Sequence, residues 1–372
     1  MLIGTTLSST LGNTAFAAIN SRSIDQLIGR SSVSIEYPTT VIPEITRYSV
    51  QYGTKNGKQY RDYHLYGTKI HFYWYNNKLY LYNAGINKFI TGLVKSGKDY
   101  YYFNVSDKDP YAKTDWLDLY GYKYFFDRGT FKAKRSDYLR RSGKLYYFDE
   151  FGHLQIGFFK RASKTYYTDN SGAIIKGFYS FKNGDRYYFN PDRDGAMTTG
   201  WHGYSNENMM HFNENGVMSR GVVKIKDYHN DGYFLFVDRK DGNAYHATGF
   251  YSDPNNGKRY LFNGPNGKAH TGWHQYEKRS YNDDAMMYFN ADGSMARGVT
   301  KIGDDWYVFT RRKLNDLNEY RAYGWYSDTN TGKRYYFDRA NGGKAVRGVE
   351  KVIDGKRYKF NDDGALALTY LK

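Results

Sequence analysis

From Ser136 to the C-terminus the chain runs in short bursts of four or five residues, in which aromatic and apolar side chains take every second place before a polar turn and a glycine. Taking the Asn, Asp or Thr that closes each burst as reference, the residue before it is Phe189, Phe212, Val237, Phe262, Phe289, Phe309, Phe337 or Phe360. Two residues earlier stand Tyr187, Met210, Leu235, Tyr260, Met287, Tyr307, Tyr335 and Tyr358. Side chains alternate along a strand with period two, so these two columns share one strand face. The column between them (Tyr188, His211, Phe236, Leu261, Tyr288, Val308, Tyr336, Lys359) is mixed, which predicts a face that tolerates water. Asp-Gly or Asn-Gly follows most bursts, as at 194–195, 241–242 and 363–364. Both residue types accept the positive φ that tight hairpin turns demand. Each unit therefore predicts a strand, a turn and a short return strand such as residues 196–199.

A glycine followed by an aromatic residue or Val opens each unit, at Gly157, Gly177, Gly200, Gly221, Gly249, Gly272, Gly298, Gly324 and Gly348. Spacings in this range mark stacked supersecondary units, none of which buries its apolar face alone. A longer period lies above the short one: the Gly-Phe-Tyr-Ser units at Gly177 and Gly249 lie 72 residues apart, and Gly324-Trp-Tyr-Ser327 follows 75 later. Gly200-Trp-His202 and Gly272-Trp-His274 are also 72 apart. The expected fold is all-β, an elongated solenoid of stacked β-hairpin repeats of about 20–28 residues, since a propeller blade needs roughly 40 or more. Residues 136–372 carry the regular repeats and residues 47–135 a divergent form, with Lys78-Leu-Tyr-Leu-Tyr82 and Asp99-Tyr-Tyr-Tyr-Phe103 as worn bursts. Residues 18–46 read as a linker or flexible arm. Residues 1–17 hold no charged side chain and end in Ala15-Phe16-Ala17, a pattern like that before signal-peptidase cleavage.

Composition sharpens this picture. Of 372 residues, 42 are Tyr, 23 Phe and 6 Trp, so aromatic rings and not aliphatic side chains must build the core. Tyr buries a ring yet keeps a hydroxyl for water or ligand, which suits a thin structure. With no cysteine, disulfides, thiolate metal sites and cysteine nucleophiles are all excluded. No His, Asp or Glu spacing resembles a metal site, and no cofactor is expected. The net charge of +16 predicts attraction to polyanions, among them teichoic acid. No RNA-recognition, helix-turn-helix or zinc-finger pattern accompanies it, so nucleic acid is disfavoured. No stretch approaches the length of a membrane span.

Units such as Gly324-Trp-Tyr-Ser327, continuing to Gly332-Lys-Arg-Tyr-Tyr-Phe-Asp338, resemble the cell-wall-binding repeat superfamily of Gram-positive secreted proteins. That superfamily includes choline-binding modules and the glucan-binding repeats of glucansucrases. The resemblance covers residues 136–372 well and 47–133 loosely. It implies a β-hairpin solenoid with ligands held between successive hairpins on aromatic rings, in a secreted, cell-wall-associated protein. In choline-binding repeats an additional Trp precedes the Tyr-Tyr pair; here that column is Arg186, Met209, Phe234, Arg259, Met286, Trp306, Arg334 and Arg357. Only Trp306 fits, and a guanidinium would repel choline, so the Gly-Lys-Arg-Tyr pattern resembles glucan-binding repeats instead.

A sugar ring offers C–H groups on one face and hydroxyls at its edge, so a binder needs an aromatic platform with a polar border. Trp201, Trp273 and Trp325, with Phe178 and Phe250, are the expected platforms. Tyr179, His202, Tyr251, His274 and Tyr326 are the expected polar border, and such sites should follow the period near 72 residues. The expected partner is polysaccharide, an α-glucan of dextran type or a cell-wall glycan. Two alternatives stay open: a structural or adhesive protein held on the wall by charge and self-association, or the targeting module of a cell-wall hydrolase or glucansucrase. Catalysis is not expected. The pairs Asp283-Asp284, Asp304-Asp305 and Asp362-Asp363 sit in or beside turns, and adjacent strand residues face opposite ways, whereas glycoside hydrolysis needs two carboxyls facing one bond.

Overall fold

A computed structural model describes residues 39–42, 48–55, 58–65, 68–105, 109–203, 208–226, 231–263, 265–276 and 285–369. The signal-like residues 1–17, the Asp283-Asp284 pair and all of residues 18–46 except 39–42 lie outside the described residues. By internal packing the chain divides into two units, one running to Thr198 and including residues 215–217, the other comprising residues 199–214 and 218–372.

In the first unit Thr39–Ile42, inside the stretch expected as a linker, pairs in parallel with Gly92–Ser96. Five strands between Tyr48 and Phe89 form an antiparallel meander. Hairpins follow, each two antiparallel strands: Gly92–Ser96 with Asp99–Phe103, Asp115–Leu119 with Tyr122–Phe126, Asp137–Arg141 with Lys144–Phe148, Gly157–Arg161 with Lys164–Thr168, and Gly177–Ser180 with Arg186–Asn190. The second unit continues the same theme from Gly200–His202 with Met210–Phe212 to Glu350–Ile353 with Lys356–Phe360. Each unit is thus a run of stacked hairpins, the β-hairpin solenoid the periodicity predicts.

One register recurs. The opening glycine lies directly across from the last phenylalanine of the partner strand: Gly177 from Phe189, Gly200 from Phe212, Gly272 from Phe289, Gly324 from Phe337. These phenylalanines are wholly buried. The strand face that carries them lies on the opposite face of the preceding hairpin: Phe159 stacks on Tyr147 with ring centres 5.1 Å apart and planes 3° from parallel, and Phe189 and Tyr187 both pack on Phe158. The core is accordingly a series of small clusters, each shared by neighbouring hairpins.

Two sequence expectations need correction. Gly221 pairs with Phe236, not Val237, and Phe236 is 1% exposed against 41% for Val237. This strand, Asp231–Asp238, carries one extra residue before its closing Asp, and a slip of one residue exchanges the faces. Phe234 and Phe236 are therefore the inner pair, and Leu235 belongs to the intermediate column. That column is also less wet than expected: Leu235, Leu261, Val308 and His211 are buried, and only where Tyr or Lys stands does the face meet water.

The Asp-Gly turns are fixed by their own side chains. Asp292 Oδ1 accepts from the Ser294 N–H at 3.0 Å, and Asp363 Oδ1 does the same for Ala365. Each turn is also tied to the preceding hairpin, Asp292 to Lys258 and Asp363 to Lys333, both at 2.8 Å. Burial opposes ionisation of Asp292, but the Lys258 ammonium and the hydroxyl and N–H of Ser294 outweigh it and hold the carboxyl at about 2.

Phe236→Ala should destabilise by about 3–4 kcal/mol, the cost of a large core truncation, while Val237→Ala should lie within about 0.5 kcal/mol of the parent. Denaturant unfolding of the two variants checks the register directly. Because the folded pKa of Asp292 is depressed, its stabilising effect is complete above the unfolded value near 4 and is lost as pH falls toward about 2. Acid unfolding of Asp292→Asn should accordingly be flatter than that of the parent between those limits.

Candidate functional site

The residue after each opening glycine sits on the face turned toward the next hairpin. Its cross-strand neighbour belongs to the intermediate column: Trp201 faces His211, Trp273 faces Tyr288, Trp325 faces Tyr336. The same three-ring corner surrounds each tryptophan. Trp273 meets Tyr288 edge-on at 5.3 Å, Tyr307 of the next hairpin edge-on at 5.0 Å, and Phe309 obliquely at 5.8 Å. Trp325 repeats this with Tyr336 at 5.2 Å, Tyr358 at 4.8 Å and Phe360 at 6.0 Å. Trp201 does so with His211 at 5.3 Å, Phe234 at 5.2 Å and Phe236 at 5.6 Å. Trp201 and Trp325 are half-buried, and Trp273 is 36% exposed. Each corner keeps part of an indole toward solvent while three further rings wall it.

A fourth corner escapes the glycine-based alignment. Trp116 meets Phe125 at 5.3 Å, Tyr146 at 5.1 Å and Phe148 at 5.8 Å, again two edge-on contacts and one oblique. It lies in the first unit, and Asp115 fills the glycine's place there, across from Phe126 and with φ of 67°. Asp is among the few non-glycine residues that visit this region. An Asp-Trp step beside the worn burst Lys123-Tyr-Phe-Phe126 is the signal that could have found it. Across the four corners only Trp201 and Trp273 keep the 72-residue spacing; Trp325 stands where Phe178 and Phe250 stand in the earlier units.

Those two phenylalanines are half-buried and covered by arginine. The Arg186 guanidinium lies 5.0 Å from the Phe178 ring and donates to Ser180 Oγ at 2.8 Å. Arg259 lies 5.0 Å from Phe250, donates to Ser252 Oγ at 2.8 Å and to Asn318 Oδ1 at 2.6 Å.

The residues expected as a polar border are not beside the tryptophans. Adjacent strand residues point to opposite faces, so Tyr179, His202, Tyr251, His274 and Tyr326 all turn to the phenylalanine face. Tyr179 packs on Tyr167, with which it shares a hydrogen bond; Tyr251 joins the cluster of Tyr260 and Phe262; Tyr326 lies against Phe337. His202 faces Phe212, and burial lowers its pKa. His274 lies against His270 at 4.8 Å, and burial, then the charge of His270, lowers its pKa too. Burial raises the pKa of Tyr326. The groups that do border the corners are cations: Arg321 at 5.4 Å from the Trp273 ring, Arg334 at 4.4 Å from Trp325, and Arg141 at 5.3 Å from Phe125.

One member of each described carboxylate pair is held in an ion pair. Asp305 is bound to Lys344 at 2.8 Å and Asp363 to Lys333. Asp194, in the loop that begins at Pro191, is held by Arg140 at 2.9 Å and Lys176 at 3.4 Å. Among the described residues no group of three or more His, Asp or Glu is placed to hold a metal ion, and no helix is long and apolar enough to cross a membrane.

No protein-family model and no curated relative matches the chain. Among solved structures it is similar to choline binding protein F from Streptococcus pneumoniae, at 21% identity over 74% of this chain and 98% of that one, with a TM-score of 0.32. It is also similar to the modular autolysin LytC from the same organism, at 18% identity over 69% and 52% of the two chains, with a TM-score of 0.38. A third similarity is to an alternansucrase in complex with isomaltononaose, at 19% identity over 82% and 19%, with a TM-score of 0.24.

If Asp115 occupies the glycine position of its hairpin, a β-branched residue there is strained by its positive φ while glycine is not. Asp115→Val should cost about 2 kcal/mol or more. Asp115→Gly, which loses only partly exposed ion pairs to Arg128 and Arg141, should cost about 1 kcal/mol or less, as read by thermal unfolding.

Proposed function

We propose that this is a non-catalytic carbohydrate-binding protein that attaches to a glycan through the aromatic corners between successive hairpins. The carrying observation is the repetition of one ring geometry around Trp116, Trp201, Trp273 and Trp325. A partly exposed indole edged by perpendicular rings offers apolar surface to the C–H groups of a pyranose. Each site is shallow and weak by itself. Several sites on one chain, engaging one polymer, raise apparent affinity through effective concentration. The reading places the protein outside the cell, on a wall or matrix polysaccharide, with an α-glucan of dextran type as the first ligand to test. Phe178 and Phe250, each under an arginine locked to its neighbouring serine, serve packing and not binding in this reading, and the five His and Tyr residues expected at the border act as core.

The +16 charge supports a second reading, adhesion to teichoic acid by charge alone. Retention on insoluble dextran separates the two. Changing Trp201, Trp273 and Trp325 together to Ala should lower retention at least about tenfold, with a further drop when Trp116 is added. Undiminished retention by the folded triple variant sinks the glycan reading. Release of the parent by moderate salt, with indifference to free dextran, favours charge alone.

A further inference from the structure

Three units share the pattern Gly-aromatic-Tyr-Ser with an arginine across the strand pair from the serine: Ser180 with Arg186, Ser252 with Arg259, Ser327 with Arg334. In each, the guanidinium lies over the ring that follows the glycine. In the first two that ring is Phe, and the arginine donates to its serine at 2.8 Å. In the third the ring is Trp325, the guanidinium is closer, at 4.4 Å, and the exposed Arg334 side chain has no hydrogen bond or ion pair among the described residues. The position that locks the first two hairpins therefore holds in the third an indole and a guanidinium whose five donors remain available.

The surroundings reinforce this. Lys356, exposed and likewise without a side-chain bond or ion pair among the described residues, shares a strand face with Tyr358 and Phe360, the two rings that close the Trp325 corner. The nearby acids are committed elsewhere: Asp338 to Lys351, Glu350 to Arg357. These two carboxylates are therefore already paired with other cations. Coulomb repulsion disfavours a cationic ligand here, and a neutral sugar would leave the guanidinium donors to water. An oxyanion accepts two parallel N–H bonds from arginine in a geometry that lysine cannot reproduce.

We infer that the Trp325 corner takes an anionic sugar, whose carboxylate or phosphate accepts from the Arg334 guanidinium where it lies over the indole, with Lys356 adding charge. This rests on the glycan reading and narrows it at one corner. The other tryptophans do not share the arrangement: Arg321, beside Trp273, already donates to the Gly342 carbonyl at 2.9 Å, and Trp201 is flanked by His211 and His246.

Calorimetric titration of the full chain, in salt sufficient to screen its diffuse charge, compares isomaltotetraose, tetragalacturonic acid, mannose 6-phosphate with mannose, and a short single-stranded oligonucleotide. The parent should bind at least one acidic sugar about tenfold more tightly than its neutral counterpart, as a charge-assisted bidentate contact allows. The carboxylate and phosphate arms tell which oxyanion is preferred. Arg334→Gln should erase the preference, bringing acidic and neutral sugars to within about twofold of each other, and Arg334→Lys should fail to restore it, because the planar fork is lost. Equal preference in Arg334→Gln, full rescue by Arg334→Lys, or tighter binding of the oligonucleotide overturns the inference. Binding of the neutral tetrasaccharide without any acidic preference overturns this inference alone; binding of no saccharide at all overturns the glycan reading with it.

Discussion

Most of the described hairpins depend on one backbone constraint: a residue in the left-handed region directly across from the phenylalanine near the end of the partner strand. That residue turns the chain from the return segment of one hairpin into the first strand of the next, and so delivers the phenylalanine onto its predecessor. At Gly177, φ is +86° and an added Cβ would meet nothing within 4 Å. Conformation, not space, requires glycine there. At the turn glycine Gly216 the reason is different, because a Cβ would come within 2.4 Å of Met197 Sδ. The opening glycine sets direction and the turn glycine sets the distance between neighbouring hairpins.

This distinction explains how much could be read without coordinates. The repeat, the hairpins and the buried phenylalanine column follow from periodicity, because strand alternation and turn chemistry are both local. Phe236 was misplaced since register is set by pairing with Gly221, and counting from Asp238 cannot see one extra residue. Trp116 escapes a glycine marker because the backbone asks only for positive φ, which Asp115 supplies. The His and Tyr border failed for another reason. The alternation rule that sorted the second strand of each unit holds for the first strand as well, and applied to Trp201-His202 it sends the two side chains to opposite faces. The arginines over the rings were out of reach, since the register that brings Arg334 over Trp325 spans a turn of six residues between Ser327 and Arg334.

A thin stack of hairpins leaves little that is purely interior. The phenylalanine face of one hairpin is covered by the intermediate face of its predecessor, and the composition of that second face decides what the junction becomes. With Val299 and Val308 present, the junction closes over Tyr335 and Phe337 as core. With Trp and Tyr present, the junction holds through edge-on ring contacts worth about 0.5–1.5 kcal/mol each and keeps an indole partly in solvent. The same rings thus carry stability and a platform, so no separate pocket has to be built.

Repetition of a ring geometry does not make repeated sites equal. Arg186 and Arg259 use their donors on Ser180 and Ser252, which converts ring and guanidinium into a rigid part of the hairpin. Replacing Phe by Trp in the third such unit enlarges the ring and coincides with the loss of that serine bond, so the same residue types move from locking to presenting. The difference lies in where the guanidinium donors point, not in which aromatic column is occupied. In a chain whose aromatic columns are nearly uniform, the polar partner of each ring is therefore the variable by which otherwise identical junctions come to differ in chemistry.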